Sequence, residues 1–472
     1  MHIVAFSINP LFPGSVMGGA PKHLQSIVTH LGEQGHRVTV LCTRRDDNAE
    51  AFRWHDNVEV LPVLRFRQPF PQPYAVPAYD LAAALYDVGE HLHAADRFYM
   101  HDGEFLFPYA YQHVPTVVSL RDNVYPETIH GAFLFQGDRL ILISEYQRQY
   151  FVQTAGRFFP GYAARTDVIY NGLDWQHFKP TPPREILEIV PVQPGAAPLV
   201  LHPHRPEPDK GIFQTIAVAD LLVRQHGLAD LLVLVPRWLD YGVSAELRAF
   251  YDRVQAEIAG RGLAANFVFH DWIPQRLMPQ YYSLGSVTLA LGSFVESFGN
   301  AVYESFGCGT PAIAARIGSH RELLPETLAF KVDFDDAETA AHLAAEIIRE
   351  RQRTPPPTLA YLRNRYDVER QRRAYADAIV SARRRPPLLY RHPTLTESTR
   401  FALPVWCYRA AAGIYNDFRV EYRQPGPFGP LLDAHPDGFT LAQAQARGIA
   451  REMVLAWHAD GYLAPRAADE PA

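Results

Sequence analysis

Two carboxylates and two cations are the residues of this chain whose types and spacing could do chemistry. Glu296 and Glu304 flank seven residues in Phe-Val-Glu-Ser-Phe-Gly-Asn-Ala-Val-Tyr-Glu-Ser-Phe, residues 294–306. The first acid follows an apolar run at 287–291, and the second falls within a helical pattern that starts near Phe298. Gly299 and Asn300 then occupy the helix's first turn, where backbone N–H groups have no intrahelical partner and carry the positive end of the helix dipole. A carboxylate on either side of such a turn suits a sugar hydroxyl, a diphosphate and a ribose diol held together. Arg205 and Lys210 stand five apart in a proline-rich loop that opens another helix. Two cations at a helix start make a diphosphate site, with arginine able to bind in a bidentate way. Each feature also has a plainer reading: an amphipathic core helix with an acidic cap, and a pair of solvated loop cations.

The elements that must position these groups alternate between strand and helix. Apolar runs at 3–8 and 38–42 bracket a glycine-bearing loop with Gly18 and Gly19 and a helix from Pro21 to Gly35, which together form a βαβ unit. The loop of such a unit lies at the strand's C-terminal end, where these sheets bind ligands. Further strand patterns at 58–64, 97–100, 116–120 and 140–143 alternate with helical ones at 79–93 and 145–154, which reads as α/β. Asn171-Gly172 predicts a tight turn with left-handed residues. After a Pro- and Gly-bearing connection at 180–198 the design starts again. It has strands at 199–202, 231–235, 267–269, 287–291 and 310–314, and helices at 212–225 and 337–353. The expected domains are 1–190, 191–385 and an extension at 386–472. Proline clusters, including 355–357, read as connections.

Composition sets the outer bounds. A chain of 472 residues with 47% hydrophobic and 20% charged residues is a globular protein of more than one domain. A formal net charge of −6 argues against general binding to nucleic acid or to an anionic membrane. Cys42, Cys308 and Cys407 are odd in number and far apart, so no disulfide framework is implied and a reducing compartment fits. There is no signal-peptide pattern and no long apolar run, so the expected location is cytoplasmic, with peripheral membrane attachment as a second reading.

Over most of residues 1–383 the ordered set of motifs resembles the retaining glycosyltransferases of family 4. The set comprises the Gly18-Gly19 loop, the strand-to-helix passage 138–145, the stretch 168–180, and Arg205 with Lys210-Gly211. It continues with 269–274, and ends with Glu296-x7-Glu304 and 309–314. The resemblance implies the GT-B fold, two Rossmann-like α/β domains facing each other across a cleft, here with a small, mostly helical C-terminal extension. It implies a metal-independent transfer of a sugar from a nucleoside-diphosphate sugar, with no cofactor. Glu296 would face the donor sugar, and Glu304 would hold the ribose hydroxyls. The backbone around Phe298, Gly299, Asn300 and Ala301, with Gly18 and Gly19, would meet the donor. Ile273, in the segment 270–273, would lie at the nucleobase. Arg205 and Lys210 would neutralise the departing diphosphate. Other reactions of the same fold, an epimerase or phosphorylase, and a catalytically silent binding subunit remain as alternatives.

The chain departs from the family pattern on the acceptor side. Arg121, followed by Asp122 and Asn123, stands where the family usually has a histidine, which points to an anionic or unusual acceptor. His101 ends a strand nearby and joins Arg121 and Asp122 as an acceptor-side candidate. The acceptor itself, whether small molecule, glycan or protein, stays open. Gly318-Ser319-His320 replaces a Gly-Gly pair, and 236–242 replaces a glycine-rich segment.

Asp333-Phe-Asp335 mimics a metal-binding Asp-x-Asp, but with Asp336 it precedes a helix, where aspartate caps. His202 and His204 have metal-like spacing without a third ligand. In the extension, 439–463 reads as a helix pair with a helix-turn-helix or winged-helix look. Residues 431–472 hold six acids and three bases, 6 − 3 = 3 net negative, so a protein contact such as a homo-oligomer face fits better than nucleic acid. Arg383–Arg385 with Trp406, Tyr408 and Tyr415 is the alternative membrane-facing set.

Overall fold

A computed structural model describes residues 1–14, 18–67, 74–103, 108–238 and 244–466. The chain forms two compact units, Met1–Asn171 with Glu369–Ala472, and Gly172–Val368.

The first unit is built on an eight-stranded sheet. Its strands are β1 (His2–Ser7), β2 (Arg37–Thr43), β3 (Phe52–His55), β4 (Val58–Leu64), β5 (Arg97–His101), β6 (Thr116–Leu120), β7 (Arg139–Leu142) and β8 (Thr166–Val168). They lie in the order β3-β4-β2-β1-β5-β6-β7-β8, parallel except for the β3–β4 edge pair. Successive side chains of β1 alternate across the sheet. Val4 and Phe6 enter one core with Ala84, Val88, Ala132 and Phe151, while Ile3 and Ala5 enter the opposite core with Leu24, Ile27 and Val28. Burial on both faces is why these parallel strands read as continuous apolar runs.

Tyr375, Ala376 and Ile379 of the helix Val368–Ser381 complete that second core at 0–1% exposure. The expected boundary near 385 therefore moves to 368/369. At the other end it moves from 190 to 171/172, because 172–190 packs with later residues. Thr181 N donates to Ser283 Oγ (3.0 Å) and Arg184 N to Gln280 Oε1 (2.8 Å).

The second unit holds β9 (Leu199–Leu201), β10 (Leu232–Pro236), β11 (Phe267–His270), β12 (Val287–Ala290), β13 (Ala312–Ala315) and β14 (Phe330–Val332). All are parallel, in the order β11-β10-β9-β12-β13-β14. Helices Ile212–Arg224, Ala245–Gly260 and Ala337–Arg349 bury their apolar stripes on one face of this sheet.

Several local readings change. Pro356 opens the helix Pro356–Arg365 instead of a loop, since a proline at a first-turn position loses no helical bond. Neither Asn171 nor Gly172 is left-handed. Gly172 is needed instead for close approach, because a Cβ there would meet Val368 Cα at 2.5 Å. Asp336 does cap, accepting from Thr339 N at 3.0 Å, while Asp333 pairs with Arg316. The replaced segment at 236–242 lies partly outside the described residues.

The extension carries the helices Phe428–Ala434, Leu441–Ala446 and Arg451–Ala459, and also two small three-stranded antiparallel sheets. Thr440 and Gln443 form a capping box at the second helix. The extension docks on the helix Glu145–Gln153 of its own unit. Tyr146 OH donates to Asp417 (2.6 Å), and Tyr150 stacks on Phe418 at 5.0 Å. Among the described residues no helix is long and apolar enough to cross a membrane.

Candidate active site

In the second sheet the strand order reverses between β9 and β12, and the C-terminal ends of these neighbours leave a crevice that their loops must fill. The loop after β9 carries His204, Asp209 and Lys210, and the loop after β12 carries Gly292, Phe294 and Glu296. The two loops lock together through backbone. Phe294 N donates to Asp209 O at 2.9 Å, and a Cβ on Gly292 would overlap that same carbonyl. Gly211, at φ +86°, leaves no room for a Cβ against Gly292 N. Two glycines at the contact thus let side chains 86 residues apart in sequence meet.

They meet as an ion pair. Lys210 Nζ lies 2.8 Å from Glu296 Oε1, with the two side chains 9% and 28% exposed. The ammonium also sits 3.1 Å from the centre of the Phe294 ring. Burial alone would raise the Glu296 carboxyl, but the Lys210 charge and its hydrogen bond hold it below the ordinary carboxylate value. The pair lines an open pocket, whose walls include His204, Phe294, Gly299, Asn300, Ala301 and His320.

The helix Asn300–Gly307 starts at that wall. Its N-cap, Gly299, has φ +78°, and a Cβ there would run into the His320 ring. A third loop closes the site: Ser319 N donates to Glu296 O at 2.9 Å, which seats His320 in the cavity with Nδ1 3.2 Å from Tyr303 OH. Burial lowers both His204 and His320 to about 4, so both rings are neutral at pH 7. His204 Nε2 bonds to Leu289 O at 2.8 Å. Asp209 Oδ1, also at the wall, is buried without a hydrogen-bond partner. Neutral hydrogen-bonding rings, a carboxylate, an ammonium and a helix N-terminus in one cavity suit a ligand that has both hydroxyls and an anionic group.

The other sequence candidates fall in varied places. Glu304, 8% exposed on the helix Asn300–Gly307, accepts from Tyr282 OH at 3.2 Å and is not among the residues lining the cavity. Arg205 pairs with Glu207 at 3.2 Å and does not line the cavity either. Ile273 is 5% exposed in the loop after β11. The Phe298 ring is buried edge-on against Tyr303 and Tyr366 at 5.1 and 5.2 Å, so only its backbone is available to a ligand. His204, Asp209, Phe294 and His320 were missed as site residues. The departure at 318–320 was the one sequence signal for His320.

Gly18, Gly19, His101, Arg121 and Asp122 all belong to the first unit. Gly18, at φ +94°, precedes the helix Gly19–Glu33. His101 bonds to Tyr99 OH and Ala20 O and is held neutral by burial and by the Arg121 charge. Arg121, 8% exposed, donates to Tyr375 OH (3.2 Å) and to Asn171 Oδ1. Asp122 accepts from Val124 N, Tyr125 N and Thr128 Oγ1 at 2.6–2.8 Å, capping the turn into the helix Pro126–Leu134. Nearby Asp102, at φ +55°, accepts from Asn9 Nδ2 (3.1 Å), and burial raises its carboxyl to about 6. The Asn123 amide is fully buried with neither polar atom hydrogen-bonded. Among the described residues no group of three His, Cys, Asp or Glu is placed to hold a metal. Cys308 is buried, which raises its thiol pKa, as for a core residue.

Residues 17–177 match the model of Glycosyltransferase Family 4, and residues 184–363 that of Glycosyl transferases group 1. A D-inositol 3-phosphate glycosyltransferase of Acidothermus cellulolyticus is 32% identical over 121 residues, 25% of this chain and 26% of that protein. A D-inositol 3-phosphate glycosyltransferase 2 of Catenulispora acidiphila is 28% identical over 182 residues, 38% and 40% of the two chains. The alignments thus span about a quarter and two fifths of these curated relatives. Among solved structures, Anabaena HepE in complex with UDP and glucose superposes with a TM-score of 0.62 at 22% identity, covering 80% of this chain and 99% of that one. Sucrose-phosphate synthase of Thermosynechococcus elongatus gives 0.61 at 17% identity, with 79% and 96% covered. Two glycosyltransferase family models thus match in succession along the chain, over twin, largely parallel sheets that have the GT-B fold.

Proposed function

We propose that the chain transfers a sugar, with retention and without a metal ion, from a nucleoside-diphosphate sugar to an acceptor still to be found. The observation that carries this reading is the Lys210–Glu296 pair inside a cavity at the strand-order reversal of the second sheet, beside the start of the helix Asn300–Gly307. As the glycosidic bond to the diphosphate breaks, negative charge grows on the departing oxygen. Lys210 and the positive N-terminal end of the helix stabilise that charge, and the preset Lys210–Glu296 geometry means little reorganisation at that moment. Glu296, ionised beside Lys210, faces the sugar, whose hydroxyls also meet the neutral rings of His204 and His320. Glu304 holds the ribose diol, and Arg205 leaves Glu207 to join the diphosphate. These two cations take the part a divalent ion would otherwise play. HepE, crystallised with UDP, with glucose and with UDP-glucose, supports a donor of this class.

The test is a thermal-shift and donor-hydrolysis screen against uridine, guanosine and adenosine diphosphate sugars, with and without EDTA, followed by assignment of the product anomer by NMR. One donor class should stabilise the protein and turn over unchanged in EDTA, with the anomeric configuration kept. Loss of turnover in EDTA, or an inverted product, would refute the corresponding part of the reading.

A further inference from the structure

After the helix Val368–Ser381 the chain crosses the first unit as a strap before the extension begins. Its residues 383–392 are Arg-Arg-Arg-Pro-Pro-Leu-Leu-Tyr-Arg-His, four arginines with no acid before Glu397, in a chain whose formal net charge is −6. The strap is pinned at three points. Arg385 N donates to Asp138 Oδ1 (2.6 Å), Leu388 exchanges hydrogen bonds with the Gln136 amide (3.0 and 3.3 Å), and Arg391 N donates to Phe158 O (2.8 Å). Leu388 turns inward at 7% exposure, while Leu389 and Tyr390 are 76% and 63% exposed. Tyr390 lies flat on Phe158, with ring centres 6.2 Å apart and 7° between planes. Phe133, 39% exposed, also packs on Phe158, with ring centres 6.5 Å apart, and its neighbour Leu134 is 47% exposed. The result is an ordered apolar ledge beside arginines. Trp406 and Tyr415, expected on such a face, are instead 9% and 0% exposed, Trp406 packing edge-on against Tyr150.

We propose that this ledge docks on an anionic bilayer surface, with Leu389, Tyr390, Phe133 and Leu134 entering the headgroup boundary and Arg383, Arg384 and Arg391 meeting lipid phosphates. Charge selects the occupant. An acidic chain is repelled as a whole by an anionic membrane, so only a face of reversed local sign can approach it. Leucine and aromatic side chains beside arginine match the interfacial layer, which takes apolar groups and cations together. A nucleic acid would pair with the arginines but would leave the leucines in water.

The test is flotation of the purified full chain with phosphatidylcholine vesicles, with and without added phosphatidylglycerol. Binding should require the anionic lipid and weaken as salt is raised. Leu389→Ser should lower the partition coefficient about tenfold. Arg391→Glu should lower it at least fivefold, about the factor for one lost surface cation. Donor hydrolysis and melting temperature should be unchanged, since both side chains are exposed. Binding that is equal with and without anionic lipid, absent from both, or unaltered by either variant would overturn the proposal. So would a dimer of the wild type that Leu389→Ser splits, because the ledge would then belong to a second copy.

Discussion

Both sheets reverse their strand order once, between β1 and β5 in the first and between β9 and β12 in the second, and the two reversals are furnished in opposite ways. At the second, unlike charges face each other in a cavity as Lys210 and Glu296, and the two histidines there are neutral. At the first, the polar groups largely satisfy one another: Asn9 bonds Asp102, Arg121 bonds Tyr375 and Asn171, and Asp122 holds the turn that leads into a helix. Both share the crevice that a doubly wound sheet provides. What differs is whether the charged groups line open space or serve the fold. A cation in a cavity can trade its carboxylate for a phosphate, whereas a guanidinium bonded to two buried oxygens mainly holds backbone together.

The sharpest way to break this contrast is to remove one cation from each place. Lys210→Ala should cut donor turnover about 10²–10³-fold, as for the loss of one preset electrostatic group. Arg121→Ala should instead cost about 1–3 kcal/mol of stability by removing the guanidinium's bonds to Tyr375 OH and Asn171 Oδ1, which keep Ser119 Oγ and Gln371 Nε2 as partners. If urea melts show no such loss while turnover collapses, Arg121 belongs to the chemistry and the contrast fails. Next in size, Glu304→Ala should weaken nucleotide-sugar binding roughly 10–100-fold, the worth of a charged hydrogen bond, with turnover at saturation little changed; calorimetry measures it. Gly299→Ala, which forces a side chain into φ +78° and the His320 ring, should cost about 1–3 kcal/mol and shift the helix start.

The smallest effect is a difference in the sign of pH dependence. His204 and His320, lowered from 6.5 to about 4 by burial, contribute stability that is fully present above pH 6.5 and lost as pH falls toward 4. Asp102, raised from 3.8 to about 6, does the reverse: its contribution is present below pH 3.8 and lost as pH rises through 6. In urea melts across this range His320→Asn should flatten the first slope and Asp102→Asn the second. Equal slopes in the variants and the wild type would mean that neither buried group titrates with folding.

Much of the second reversal was legible because its signals are local. Glu296 after an apolar run, the glycine at the helix start and the lysine after a proline loop are each read within a dozen residues, and Asp336 was recognisable as a cap by its place before a helix. What escaped depends on distant partners. Nothing near Arg121 announces Tyr375, 254 residues on, as its acceptor. Nothing near His320 shows that Ser319 is tied to the backbone of Glu296. Arg205 looked equivalent to Lys210, yet only Lys210 lies beside the Gly211–Gly292 contact that brings the loops together. The boundary error has the same origin. The apolar stripe of the helix Val368–Ser381 declares that it will be buried, but not on which sheet.

That helix also sets an order of events during synthesis. Tyr375 and Ile379 fill the first unit's core, yet 197 residues, 172–368, must be made between Asn171 and Glu369. At ribosomal speeds the amino-terminal sheet waits roughly 10–40 s for its final layer. The intervening unit, whose entry and exit are joined by Leu173 N to Tyr366 O and Val368 N to Leu173 O, meanwhile receives everything it needs. The nascent chain should therefore finish from its middle outward, with an unfinished apolar surface at the amino-terminal end for a chaperone to shield.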